Sequence, residues 1–92
     1  MNKAELIASV AEKSSMTKKA ASEAVEAVFA TISETLAQEE KVTIVGFGTF
    51  EVRDRKARKG VNPATKEEIM IPATKVPAFR PGKSLREAVA PK

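Results

Sequence analysis

The stretch KVTIVGFGTFEVR, Lys41 to Arg53, is where the period of this chain changes. Before it, apolar residues recur every three or four positions. Within it, Val42 and Ile44 alternate with polar neighbours, and so do Phe50 and Val52. Alternation marks a half-buried strand. Gly46 and Gly48 lie between the two runs, and glycine admits the positive φ that a tight reversal needs. The stretch therefore predicts two antiparallel strands joined by a bend. Gly46-Phe47-Gly48 is not a nucleotide loop, because the full glycine-rich pattern and a following helix are missing.

Upstream the pattern is helical. Asn2 and Glu5 have capping-box spacing, with Asn in place of the usual Ser or Thr. Leu6, Ile7, Val10 and Ala11 then predict a helix from about Lys3 to Lys13, which Ser14-Ser15 breaks. Thr17 is the expected N-cap of a second helix reaching Gln38, with Met16 in the staple position. Its apolar stripe is Ala21, Val25, Val28, Phe29, Ile32 and Leu36. The two form a helical hairpin.

Downstream the second strand runs past Val52 into RDRKARKGVNPATKEEIMIPA, and there the apolar alternation stops. Between Arg53 and Thr65 the apolar residues are Ala57, Val61, Pro63 and Ala64, too few and too small for a core. Asn62-Pro63-Ala64-Thr65 is a turn signal, and EEIMIPA is a plausible return strand. The simplest construction is a two-stranded arm projecting from a body, marginal alone in water. KVPAF then supplies Val76 and Phe79 as a last strand, which Pro72 and Pro77 place at an edge. Pro81-Gly82 ends it. KSLREAVA fits a short terminal helix with Leu85, Ala88 and Val89 facing inward, and the four phenylalanines are expected to pack in the core. The class is α+β: a helical hairpin, an antiparallel three-stranded sheet, an extended two-stranded β-arm and a short C-terminal helix.

Ninety-two residues suggest a single domain. A chain this short is marginally stable unless something supplements its core. With no cysteine and no histidine, disulfides, thiolate sites and zinc sites are excluded, and oligomerisation is the remaining remedy. No signal-peptide h-region or bilayer-spanning run is present, so the protein is expected to stay in the cytoplasm with no membrane partner. The net charge of +4 is unevenly placed: residues 1–40 hold four Lys against seven Glu, whereas residues 41–92 hold twelve Lys or Arg against five Asp or Glu. Such asymmetry suits a polyanion-binding surface. Read from the residues alone, the run Arg53, Arg55, Lys56, Arg58, Lys59 is either a solvated face or that surface. Pro63 is either a turn proline or a contact. Strand alternation places Arg53 and Arg55 on one ribbon face, and Lys56 and Arg58 on the other. Lys3, Lys75, Arg80, Lys83 and Arg86 are body cations that would together suit phosphates, and Lys83 opens its helix against the dipole, which favours an anion there. Enzyme chemistry is poorly supplied, since the serines have no candidate base beyond Lys or carboxylates; no catalytic residue, cofactor or metal is expected.

The run GFGTFEVRDRKARKGVNPAT, Gly46 to Thr65, resembles the signature of the bacterial histone-like HU proteins and their relative, integration host factor. Gly46-Phe47, Phe50, Arg55, Arg58, Gly60 and Asn62-Pro63-x-Thr65 fall at the family spacing. MNKAELI, the helical hairpin and IPATKVPAFRPGK extend the resemblance over nearly the whole chain, closer to HU than to integration host factor. The resemblance implies an intertwined homodimer in which residues 1–92 form one DNA-binding domain, with body 1–52 and 73–92 and β-arm 53–72. HU proteins are themselves a known instance of minor-groove architectural binding. The arms would embrace double-stranded DNA, Pro63 would wedge between base pairs, and nicked, gapped or bent DNA would be preferred in the bacterial nucleoid. DNA-binding positions would then be the basic run with Val61, Asn62, Pro63 and Lys66 around the tip, together with the body cations.

Two positions depart from the family. Val61 stands where Arg is common, and Lys66 where Gly is common. Ile69-Met70-Ile71 is also more apolar than a ribbon in water should be. Other readings share these residues: a sequence-specific paralogue like integration host factor, or a basic-armed dimer that grips structured RNA or an acidic protein.

Overall fold

The computed structural model of the chain describes residues 1–90. Two compact units make it up, Met1–Glu34 and Thr35–Lys92. The first holds helix α1, Lys3–Ser14, and most of α2, Lys18–Ala37. Both starts are capped as their sequences require. Asn2 Oδ1 accepts from the Glu5 amide at 2.9 Å while the Asn2 amide donates to Glu5 Oε1 at 3.2 Å, closing the capping box. Thr17 Oγ1 accepts from the Ala20 amide at 3.1 Å. A cap of this kind stabilises a helix by about 1 kcal/mol. Ser15 ends α1 in the left-handed region at φ 57°, which turns the chain toward α2.

Ala11, Ala21 and Val25 are the buried apolar residues, and among the described residues no large side chain is fully enclosed. Leu6 and Val10 of α1 and Ala24, Val25, Val28 and Phe29 of α2 line an open apolar groove. Phe29 is 49% exposed, and Val28 is likewise uncovered. Of the four phenylalanines expected in the core, Phe29, Phe47 and Phe79 stay partly exposed in the single chain, and Phe50 is half-buried. This hairpin has one apolar stripe per helix, and two helices alone leave some of each stripe facing outward.

The second unit holds the sheet. Strands β1, Val42–Ile44, β2, Gly48–Arg55, and β5, Thr74–Pro81, form an antiparallel sheet in the order β1-β2-β5. Val42 lies opposite Phe50, Phe50 opposite Phe79, and Arg55 opposite Thr74. The bend is a tight turn in which the Phe47 amide donates to the Ile44 carbonyl at 2.9 Å, with Gly46 at φ +85°, the sign a type II turn demands at its third residue. Gly48 has a different role. A Cβ there would lie 2.6 Å from the Arg80 carbonyl oxygen and from the Phe79 ring. Its bareness lets Phe79 lie across β2, with ring centroids 4.8 Å from Phe50 and 5.4 Å from Phe47.

The sheet extends further than the sequence suggested. Arg53, Asp54 and Arg55 stay paired with β5, so the separate two-stranded ribbon begins only at β3, Arg58–Val61, which pairs with β4, Glu68–Ile71. β5 is an edge strand, as Pro77 foretold. Helix α3, Lys83–Val89, follows Gly82, but only Leu85 is half-buried; Ala88 is exposed and Val89 is 77% exposed. Of the inward face assigned to all three, the single chain covers only Leu85, because nothing in it packs over the Ala88–Val89 end of the stripe.

Candidate nucleic-acid interface

Side chains on a strand alternate between faces, and the register sorts the cations of the second unit. Thr49, Glu51, Arg53 and Arg55 share one face of β2 with Arg80, Ala78, Val76 and Thr74 of β5. Phe50, Val52 and Asp54 point the other way with Phe79, Pro77 and Lys75. The first face therefore carries three arginines, and the second is apolar at Phe50, Val52, Pro77 and Phe79 but ends in the Asp54–Lys75 pair. Within the cationic face, Glu51 is buried and accepts from Arg53 Nε at 2.8 Å and from Arg80 Nη2 at 3.3 Å. The Arg53 hydrogen bond is the main reason its carboxyl titrates below the usual value, with the charges of Arg80, Arg53 and Lys41 adding to it against the cost of desolvation.

Lys75 does not join that face. It lies across from Asp54, donating at 2.8 Å, and also pairs with Glu39 at 2.7 Å. These two carboxylates, Asp54 first, hold its ammonium above the ordinary lysine value. Lys3, in the first unit, is ion-paired with Glu26 on α2. Lys83 and Arg86 sit on α3, which among the described residues has no acid in its first turn and no side-chain cap. Arg86 lies in its last turn, where a cation complements the dipole.

The ribbon places its cations differently. Lys56 and Ala57 fall between β2 and β3, outside any ladder, so an unbroken alternation from Arg55 to Arg58 does not hold. Within the ribbon, Arg58 and Gly60 share a face with Ile69 and Ile71, and Lys59 and Val61 share the other with Glu68 and Met70. Arg55, Lys56, Arg58, Lys59 and Lys66 make no ion pair among the described residues. The apolar run has a partial explanation: Ile71 and Ile69 close over Gly60, where a Cβ would meet the Ile71 side chain at 2.9 Å. Met70 and Val61 stay more than half exposed.

The tip is built by hydrogen bonds that leave Pro63 outside them. Asn62 donates its amide to the Glu67 carbonyl at 2.9 Å, and its carbonyl accepts from Lys66 at 2.6 Å. Asn62 Oδ1 accepts from the Ala64 amide at 2.9 Å, and Thr65 Oγ1 from the Glu67 amide at 3.3 Å. These side chains fold the turn back on itself. Pro63 needs no donor at its position and projects exposed from the apex. Lys66 occupies the left-handed region at φ 62°, where glycine is at ease and other residues are not. The residue that sequence reasoning missed is Glu51, whose tie to Arg80 spans 29 positions.

The family described as bacterial DNA-binding protein matches residues 1–90, and the chain belongs to it, among the HU proteins. The SPbeta prophage-derived DNA-binding protein HU 2 of Bacillus subtilis (strain 168) is 64% identical over 92 residues, covering all of both chains. DNA-binding protein HU of Geobacillus stearothermophilus is 61% identical over 89 residues, covering 97% of this chain and 99% of its own. A chain of an Anabaena HU–DNA cocrystal structure aligns with a TM-score of 0.95 at 56% identity, over the full length of both.

Proposed function

We propose that this protein is a sequence-tolerant architectural DNA-binding protein of the bacterial nucleoid, acting as an intertwined homodimer whose arms enter the minor groove and bend the duplex. The observation that carries the reading is a ribbon whose Arg58, Lys59 and Lys66 make no ion pair among the described residues and which ends in an exposed proline, in a chain that aligns over its full length with an HU chain crystallised with DNA. Cations without carboxylate partners are free to neutralise phosphates, and each phosphate so neutralised releases counterions. Pro63 offers a rigid apolar ring that can insert between adjacent base pairs at the cost of their stacking.

Dimerisation is supported by what the single chain leaves uncovered. Val28, Phe29, Phe47, Phe79 and Val89 are all exposed in it. Apolar surface of this extent, on a chain with so little enclosed core, calls for a second copy. In the dimer, residues 1–92 of each copy act as one DNA-binding domain, and each copy contributes one arm.

Bending a short site costs about 1–6 kcal/mol, and a nick or gap lowers that cost. Titration of intact and nicked duplexes at two salt concentrations is the test. The nicked duplex is expected to bind more tightly, with log affinity falling against log salt at a slope of about −5 to −9 for some 6–10 engaged phosphates. Pro63→Ala should abolish most of the preference for nicked DNA while keeping most intact-duplex affinity. Equal losses on both substrates would rule out the wedge, and effective competition by RNA or an acidic protein would redirect the assignment.

A further inference from the structure

Glu51 is buried, 6% exposed, on the face that carries Arg53, Arg55 and Arg80. A single carboxylate oxygen, Oε2, receives both Arg53 Nε and Arg80 Nη2. An anionic oxygen bridging two guanidinium groups is the position a phosphodiester oxygen would take. We propose that Glu51 is a built-in substitute for a DNA backbone phosphate, which partly neutralises Arg53 and Arg80 and so holds down the affinity of this face for undistorted duplex. The proposal rests on the DNA-binding function given above and adds a residue that limits it.

Glu51 lies within the central strand, paired with Ala78 of β5, so an arriving phosphate must share the arginines with it and cannot expel it. Sharing is chemically feasible. Arg53 keeps both terminal nitrogens and Arg80 keeps Nε and Nη1, because Glu51 uses one nitrogen of each. Two consequences oppose one another: the carboxylate orders the arginines, which favours binding, and it subtracts charge, which disfavours it. Ordering is the weaker effect, because both arginine side chains remain more than half exposed and the Arg80 bond is 3.3 Å long. A phosphate touching both guanidinium groups would lie about 4–6 Å from Glu51, well inside the Debye length of about 10 Å in ordinary buffers. The charge dominates. Arg55, on the same face, makes no ion pair among the described residues and so presents its full charge.

The experiment measures binding of the purified full chain to an intact duplex of about 20 base pairs across a series of KCl concentrations. Glu51→Gln is expected to tighten binding about three- to tenfold at low salt, and to steepen the salt slope by about one per protomer. Glu12→Gln removes the same formal charge at a position that makes no ion pair among the described residues, and should leave the slope unchanged. A Glu51→Gln chain that binds no more tightly than wild type overturns the proposal. A second comparison, in a background that keeps Glu51, guards against a folding defect. Arg55→Gln should lose more affinity than Arg53→Gln or Arg80→Gln, and equal losses would count as refutation. Wild-type protein that binds no duplex at any salt would overturn the function itself, a result distinct from wild type binding while Glu51→Gln gains nothing.

Discussion

The three-stranded sheet and the two-stranded arm are both antiparallel ribbons rich in cations, yet, Arg55 at the sheet's end excepted, they handle charge in opposite ways. In the sheet, Arg53 and Arg80 lean on Glu51, and Lys75 is gripped by Asp54 and Glu39. In the arm, Arg58, Lys59 and Lys66 make no ion pair among the described residues. The packing differs in the same sense. The sheet has Phe79 lying against Phe50 and Gly48, whereas the arm has two isoleucines over one glycine and leaves Met70 in solvent. The sheet thus neutralises most of its own charge, and the arm leaves its charge unpaired among the described residues.

The comparison breaks most readily at Gly48. A methyl group there would meet the Arg80 carbonyl and the Phe79 ring at 2.6 Å, so Gly48→Ala should destabilise the fold by about 2–3 kcal/mol. Urea unfolding monitored by circular dichroism measures this, and an unchanged midpoint would show that the close approach is not needed.

Exchanging one cation in each ribbon sharpens the contrast. Arg58→Gln should flatten the salt slope of DNA binding by about 0.9 for each lost phosphate contact. Lys75→Gln should leave that slope alone and lower stability only slightly, because the ion pairs it breaks are exposed and screened by solvent. Equal effects on the slope would mean that pairing with carboxylates does not separate the two groups.

The smallest effect is expected at the arm's tip. Lys66→Gly removes a left-handed non-glycine residue worth roughly 1–2 kcal/mol of strain, partly offset by about 0.5–1 kcal/mol of added backbone entropy in the unfolded chain. Slower hydrogen exchange at the Lys66 amide, which donates to Asn62, would report the net gain. Faster exchange would show that the lysine is held there by something other than backbone geometry.

Much of this architecture was legible in the residues. Asn2 with Glu5 and Thr17 with its following stripe announced two helices because capping is a local interaction, written within four positions. The Val42–Val52 alternation and Gly46 announced the hairpin for the same reason. What escaped was everything that depends on register between distant segments. Nothing near Lys75 in sequence says that it falls opposite Asp54, on the face away from the arginines. Nothing near Glu51 says that Arg80 reaches it. Apolar alternation stops at residue 53, whereas the backbone ladder, which is indifferent to side-chain polarity, continues to Arg55. Helical spacing alone turns Val89 inward, and spacing cannot say whether a neighbour in the chain covers it.

The edges of the larger sheet have a consequence of their own. Its outer strand β5 contains Pro77 and ends at Pro81, so two amide donors are missing along its length, and β1 at the opposite border is only three residues long. Neither border offers a long, regular row of hydrogen-bonding groups to a stray strand. The sheet's own borders thereby disfavour edge-to-edge fibrous self-assembly.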